Sequence, residues 1–423
     1  MFKHITNYLL WLWVFLIPWQ TRWIIVDPIL EGSAWEYGRL SLYGGDIIFA
    51  ILLIFALIQW LKEKNVSKIY FWPFVLIITF FAWIWLSIVW SSDHLVAFYY
   101  SLRIAQVLML LGILIVVKPK AKLIITSLVG AAALQGVIAI AQFGMQWTPA
   151  FKWLGLASQS AWELGPGVVE TMAGRWLRSY GSLPHPNILG GFLCAGLLGV
   201  IYLLSIIRKK GRWWLWLSLV LVAQGLVLSF SRSAWLGLVF GAMLLLILAF
   251  KNKDVLKKII LLLILIIIIF AINFAMFQDL FTTRLATVGR LETQSITERE
   301  TQLGLAMQTI KLHHLGLGVG NYTHWLQSIY PKEPGYVYQP VHNQYLLIWA
   351  ELGLFGIILF IIFLGFLFKA RIRTIYQVYQ AYFLAVLVSF LAIGAFDHYI
   401  WTSYSGILLF GLVVSSLMIK HNK

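Results

Sequence analysis

Residues 342–356 read HNQYLLIWAELGLFG: a histidine and an amide open a strongly apolar stretch that Gly353 and Gly356 then punctuate. Histidine takes a proton from a hydroxyl near neutral pH, so His342 is a candidate general base. Asn343 is placed to fix the orientation of the imidazole or to bind a substrate hydroxyl. A lone histidine at a helix start also serves as a cap, and both roles stand open on the residues alone. Gly353 and Gly356 let a neighbouring helix approach closely, which would hold His342 rigidly.

Arginines supply the second chemistry, the binding of an anion. Thr297-Glu298-Arg299-Glu300 has the form of a capping box, with Thr297 as N-cap and Glu300 reaching back. It predicts a helix from there to about His313, with Leu303, Ala306, Met307 and Ile310 as its apolar face. Arg299 falls on that face and points a guanidinium inward, where it needs an anionic partner. Glu292 or Glu300 would serve within the protein; an anionic ligand is the alternative. The helix runs into HHLGLGVGNY, where Gly316, Gly318 and Gly320, followed by Asn321, make a tight turn at which backbone can approach a ligand. Arg232, in SFSRSAWLG (229–237), stands between two apolar runs with almost no loop, as a fixed cation or an interfacial anchor. In WLRSYGSLPHPNILGGF (176–192), Arg178 and His185 stand where Pro184 and Pro186 stiffen the start of another apolar run, with Asn187 as its cap. His185 reads as a turn residue ahead of a catalyst. Arg103 lies within an apolar run and is expected to face the interior as a functional group, or to be neutralised by Asp93 or Glu351.

The elements that must position these residues are membrane helices. Of 423 residues, 61% are hydrophobic and 11% charged, a balance that no soluble fold needs and a polytopic membrane protein does. Apolar runs long enough to span a bilayer fall at 7–25, 45–61, 70–90, 96–117, 122–143, 186–207, 213–230, 233–250, 257–277, 343–368, 378–397 and 402–419, twelve in all. The first lacks a small-residue cleavage site and reads as a retained helix rather than a signal peptide. The fold class is thus an all-α polytopic membrane protein. Its organisation is five membrane helices in 1–143, an outer-face loop at 144–185, four helices in 186–277, a large outer-face loop with a short helix at 278–342, and three helices in 343–423.

The short loops KEKNVSK, KPKAK, RKKGR, KNKDVLKK and KARIR, with the C-terminal KHNK, alternate with lysine-poor ones. The positive-inside rule puts the basic set and both termini in the cytoplasm. Sixteen lysines and four arginines then lie inside, against three lysines and eight arginines outside. The net charge of +16 is therefore mostly topology and argues against nucleic acid as a partner. Orientation does not require outer arginines, whereas bidentate binding of phosphate does. The single cysteine, Cys194, lies in an apolar run and reads as a packing residue. His313, His314, His324 and His342 share one loop without metal-ligand spacing, so no metal is expected, and no cofactor. Acidic DxD pairs and a P-loop are absent from the sequence.

His342 to Gly356, as His-Asn-x9-Gly-x-x-Gly, resembles the signature of the O-antigen ligase/polymerase superfamily. SRSAW (231–235), the Arg299 helix with its Gly318-Val319-Gly320 turn, and PHPNILGGF (184–192) are similar to further motifs of that family, in the same order. The resemblance covers most of the chain, though residues 1–90 are read from hydropathy alone. It implies a membrane glycosyltransferase that moves a glycan from undecaprenyl diphosphate to an acceptor at the outer face of the bacterial cytoplasmic membrane, without metal or nucleotide sugar. Ligases of the family use lipid A core as acceptor; polymerases extend a second lipid-linked glycan. Carried over, His342 is the general base, Arg232 and Arg299 the clamp on the diphosphate, and Arg178 a secondary clamp candidate. Asn343, Asn187, Gly318, Gly320, Asn321 and Arg103 complete the expected substrate contacts. The ligase reading is preferred because the His342–Gly356 spacing is intact, beside polymerase and protein O-oligosaccharyltransferase alternatives. A transporter of lipid-linked sugars is the non-enzyme rival, but the broken midplane helices and internal repeats it calls for are not evident in the sequence. The outer loop after the turn, 321–341, is too short for an elaborate acceptor domain.

Overall fold

The computed structural model describes residues 2–64, 66–163, 165–207, 212–287, 289–372 and 379–419. Most of the basic loop at 208–212 and the C-terminal KHNK lie outside that set. Helix α1 covers Phe2–Leu16, α2 Gly44–Glu63, α3 Phe71–Leu86, α4 His94–Val117 and α5 Ala121–Met145. After a long connection come α6 Pro186–Ile206, α7 Trp213–Leu228, α8 Arg232–Ala249 and α9 Lys253–Met276. Helices α10 Gln278–Ala286, α11 Arg290–Leu312 and α12 Tyr322–Ile329 follow, then α13 Gln344–Ile372, α14 Gln380–Gly394, α15 Tyr399–Thr402 and α16 Tyr404–Met418. Each of the twelve expected apolar runs contains a helix. Eight helices are long and apolar enough to cross a membrane by length and composition, and α7, α14 and α16 are shorter apolar ones.

Helix α6 is the hub, buried along its whole length, as befits an apolar helix with no polar stripe. The connections between helices gather at two ends. At one, Ser67 N donates to Ile115 O at 2.9 Å and Tyr70 N to Met418 O at 3.2 Å, so the basic 62–68 and 118–122 segments lie together with the C-terminal end of α16. The long segments gather at the other.

Four expectations need correction. The first apolar run does not continue to residue 25 as helix. Pro18 follows the end of α1, and the β-branched Ile24, Ile25 and Val26 form a strand, Arg22–Val26, paired antiparallel with Leu40–Tyr43. The protein is accordingly not all-α: four two-stranded antiparallel pairs decorate the connections among the described residues. Helix α11 starts at Arg290 rather than Thr297, whose hydroxyl bonds back to Thr293 O at 3.2 Å in mid-helix instead of capping. Its inner face is Ala306, Thr309 and Ile310, while Leu303 and Met307 are exposed.

The fourth concerns α13. Gly353 sits at φ 70° and ψ −176°, a conformation essentially restricted to glycine, and breaks the helix. The carbonyls this frees are not orphaned. Leu317 N donates to Ala350 O at 3.0 Å, Gly318 N to Glu351 O at 2.8 Å, and Trp83 Nε1 to Leu352 O at 2.8 Å. A Cβ on Gly353 would meet His314 O at 2.4 Å, and one on Gly316 would meet Glu351 O at 2.3 Å. Gly353 therefore admits a loop into its own helix rather than a neighbouring helix alongside it, while Gly356 lies against Trp83.

Candidate active site

His342 precedes α13, and Asn343 caps it. Asn343 Oδ1 accepts from Tyr345 N at 3.0 Å and Leu346 N at 3.1 Å, while its Nδ2 donates to Ala395 O at 3.1 Å. Its polar atoms thus fix the helix start against the C-terminal end of α14, and His342 rides on that anchor. His342 Nδ1 meets Gln302 Oε1 of α11 at 2.7 Å. With an amide oxygen facing it, Nδ1 carries the proton and Nε2 keeps its lone pair. The His398 ring stands edge-on to His342 at 5.3 Å. Burial lowers the pKa of His342, Asp397 opposes this, and Arg299 adds to it. A neutral imidazole with one free lone pair is the outcome.

Asp397 was not singled out in the sequence, yet it is the carboxylate at the centre. It is buried, and Asn187 Nδ2 donates to its Oδ2 at 2.8 Å. Burial favours its neutral form, but the neighbouring imidazoles of His398, His342 and His185 and the Asn187 bond outweigh this and hold its pKa below the ordinary value. His185 and His398 are pushed down to about 3, chiefly by burial. His185, not Asn187, caps α6: its Nδ1 accepts from Asn187 N at 3.1 Å, which frees the Asn187 amide to turn inward. Arg178 Nη2 donates to Asn187 Oδ1 at 2.6 Å and its Nε to Ser229 O at 2.9 Å. Arg178, Asn187 and Asp397 are thus one hydrogen-bonded chain.

The arginines lie behind this chain. Ser231 caps α8, so Arg232 begins the helix and projects sideways. Its Nη1 donates to Arg284 O at 2.9 Å and its Nη2 lies 3.3 Å from Glu292. Arg284, unremarked in the sequence, forms the closer ion pair with Glu292. Arg299 points inward as expected, but neither Glu292 nor Glu300 pairs with it; Glu300 is exposed, and the Arg299 Nε is buried without a hydrogen-bond partner. Burial lowers its pKa, Asp397 opposes this, and Arg284 adds to it. Arg284 acts on each of Arg178, Arg232 and Arg299; among the described residues Glu292 forms ion pairs with Arg232 and Arg284, and Asp397 acts on Arg299 without an ion pair to it. Buried charge of one sign seeks a counter-ion.

Other expected contacts lie elsewhere. Arg103 bonds Asp46 at 2.7 Å and stacks among Tyr43, Tyr99 and Tyr404; neither Asp93 nor Glu351 neutralises it. Asp93 caps α4, and Glu351 accepts from Trp401 Nε1 at 2.8 Å. The Gly318–Gly320 turn approaches protein, not open space: a Cβ on Gly318 would meet Ser91 and one on Gly320 would meet Tyr100. Asn321 Oδ1 accepts from Asp93 N at 2.8 Å and Ser92 Oγ at 3.0 Å, pinning that turn to the start of α4.

On the open side of His342 lies a cavity of about 680 Å³, lined by His342, His398, Asp397, His185 and Tyr37 among others. Residues 217–361, about a third of the chain, match the family model for O-antigen ligase, a stretch that contains Arg232, Arg299 and His342. That stretch is similar to the O-antigen ligase family. No curated protein matches the chain. Arg178, Asn187, Asp397 and His398 lie outside the matched stretch and are drawn to it only by the fold.

Proposed function

We propose that this protein transfers a glycan from undecaprenyl diphosphate to the hydroxyl of an acceptor sugar at the outer face of the cytoplasmic membrane. The arginine cluster beside His342 carries this reading, above all Arg299, whose Nε is buried without a hydrogen-bond partner among the described residues. A diphosphate supplies what the cluster lacks, and negative charge grows on it as it leaves, where fixed guanidiniums stabilise it most. Arg299, the least engaged of the four, contacts the diphosphate with Arg232. Arg178 acts one step removed, by holding Asn187 and through it Asp397.

His342 Nε2 accepts the proton of the acceptor hydroxyl as its oxygen bonds to the anomeric carbon. The bond from that carbon to phosphate breaks, and undecaprenyl diphosphate departs with the electron pair. The proton passes from His342 to solvent or to the released diphosphate. The donor is already activated, so the reaction consumes no nucleotide.

The test is transfer by the purified protein in detergent, with undecaprenyl-diphosphate glycan as donor and EDTA present. Lipid A core is offered in one reaction and donor alone in another. Transfer by wild type that vanishes in His342→Ala and Arg299→Ala supports the proposal. Full activity in Arg232→Ala and Arg299→Ala variants that insert normally would remove the clamp, and activity lost to EDTA would remove the metal-free mechanism.

A further inference from the structure

Three elements meet at the transfer site, and one buried carboxyl ties the same three together from behind. We propose that Glu351 is a positioning residue for the reaction, holding the arginine helix α11 and the short helix α15 in register with His342. This rests on the transferase reading above.

Glu351 lies about two turns into α13, two residues before the break at Gly353. It is 3% exposed and is not among the residues that line the cavity beside His342. An ionisable side chain within a span is costly to keep, and marks a functional task. Contact with substrate is not that task, because the cavity does not reach it.

Its bonds define the task. Trp401 Nε1 of α15 donates to Glu351 Oε2 at 2.8 Å. The backbone N–H groups of Gly320 and Tyr322 bond to the same carboxyl from the turn that follows α11. Both directions lead straight to the site. Trp401 N donates to His398 O at 2.9 Å, so the indole moves with His398 and with Asp397 beside it. The turn runs on from α11, which carries Arg299 and Gln302, the partner of His342. The backbone bonds from Leu317 and Gly318 fill the break in α13. The Glu351 side chain adds the bridge from that turn to α15.

A carboxyl suits the place by acceptor count. Three N–H groups converge on it, and its two oxygens have lone pairs for all three. Glutamine matches its volume but has one acceptor oxygen, and its NH2 group would face N–H donors. A buried N–H left without a partner is costly, so the elements that carry these donors would shift. Displacing reacting groups by about 1 Å costs up to ~100-fold in rate, even when the cause lies far from the chemistry.

Two measurements on the intact protein in detergent test this. The first is transfer kinetics. Glu351→Gln should lower kcat by about tenfold or more, with donor KM kept within about twofold. Trp401→Phe removes one donor and keeps an aromatic ring; it should lower kcat about threefold, and it serves in place of Glu351→Gln if that variant does not fold. In an Arg299→Lys background the loss from Glu351→Gln should shrink to within about twofold, since a residue that acts through Arg299 has little left to position. Full kcat in both single variants, or losses that simply multiply with Arg299→Lys, would overturn the proposal. The second measurement is the distance between spin labels at Glu300→Cys on α11 and Phe396→Cys ahead of α15, both exposed positions, with the native Cys194 buried. Without further substitution the labels should report one narrow distance, which Glu351→Gln or Trp401→Phe should broaden. A distance unchanged in both would overturn the positioning role even if kcat fell. Broadening in a protein whose wild type transfers nothing would instead overturn the transferase reading and leave the tie between α11 and α15 standing.

Discussion

His342 and Gln302 act as a pair, because the amide oxygen decides which imidazole nitrogen is basic. Gln302→Leu removes that acceptor while keeping bulk, and should lower kcat about tenfold with donor KM kept, as a general base that loses its orientation does. Burial sets the pH dependence. The base works when neutral, and its folded pKa lies below the usual 6.5. Activity should therefore hold as pH falls through 6.5 and decline only below it; a pH–rate profile whose acid limb lies at or above 6.5 would contradict this. Arginines divide by how free they are. Arg299→Lys should cost activity, since an ammonium cannot replace a planar fork. Asn187→Ala should do so indirectly, by leaving Asp397 with one fewer donor, and should move the pH profile as well as the rate. Of these residues, His342, Arg232, Arg299 and Arg178 were legible from motif spacing and residue type. Asp397 and His398 were not. They lie at the end of an apolar run, 55 and 56 positions beyond His342, and only the packing of α13 against α14 and α15 joins them to it.

At the scale of elements, the arginine helix and the base helix are one piece. The loop after α11 fills the break in α13, supplying two backbone donors to its carbonyls. Gly353→Ala must adopt a backbone conformation that costs ~1–3 kcal/mol even before its Cβ meets His314 O. It should lower the melting temperature in detergent and activity together, whereas Gly365→Ala, where a Cβ meets nothing within 4 Å, should change neither. The apolar runs foretold where helices lie because length and hydropathy are local properties. The break at Gly353 and the start of α11 at Arg290 were hidden for the opposite reason. A glycine among helix-favouring residues reads as a packing site until the inserted loop is known, and the Thr297 capping box is overruled by a helix that has already begun.

At the scale of the molecule, charge has two separate jobs. Under the positive-inside rule the lysines in the short loops set orientation, and under the proposed function the arginines at the other end serve the reaction. The loops near Lys64 and Lys120 share an end of the bundle with the α16 terminus, as the alternation of basic loops requires. A cysteine introduced at Ser67 should react with a membrane-impermeant reagent only from the cytoplasm, and one at Tyr336 only from outside; the reverse pattern would invert the topology. The apolar helices were legible because a bilayer imposes length and hydropathy on composition. The strand pairs at the cavity end were not, because each takes only a few residues and a partner from elsewhere. One feature also works as a ruler of depth. An unbroken helix of α13's 29 residues would rise roughly 44 Å, well beyond the ~30 Å of hydrocarbon in a bilayer. From Gly353 onward the remaining length rises roughly 30 Å, one bilayer's thickness. The nine residues before Gly353 rise roughly 14 Å, enough to carry a residue from the edge of the hydrocarbon through the ~5–8 Å headgroup layer.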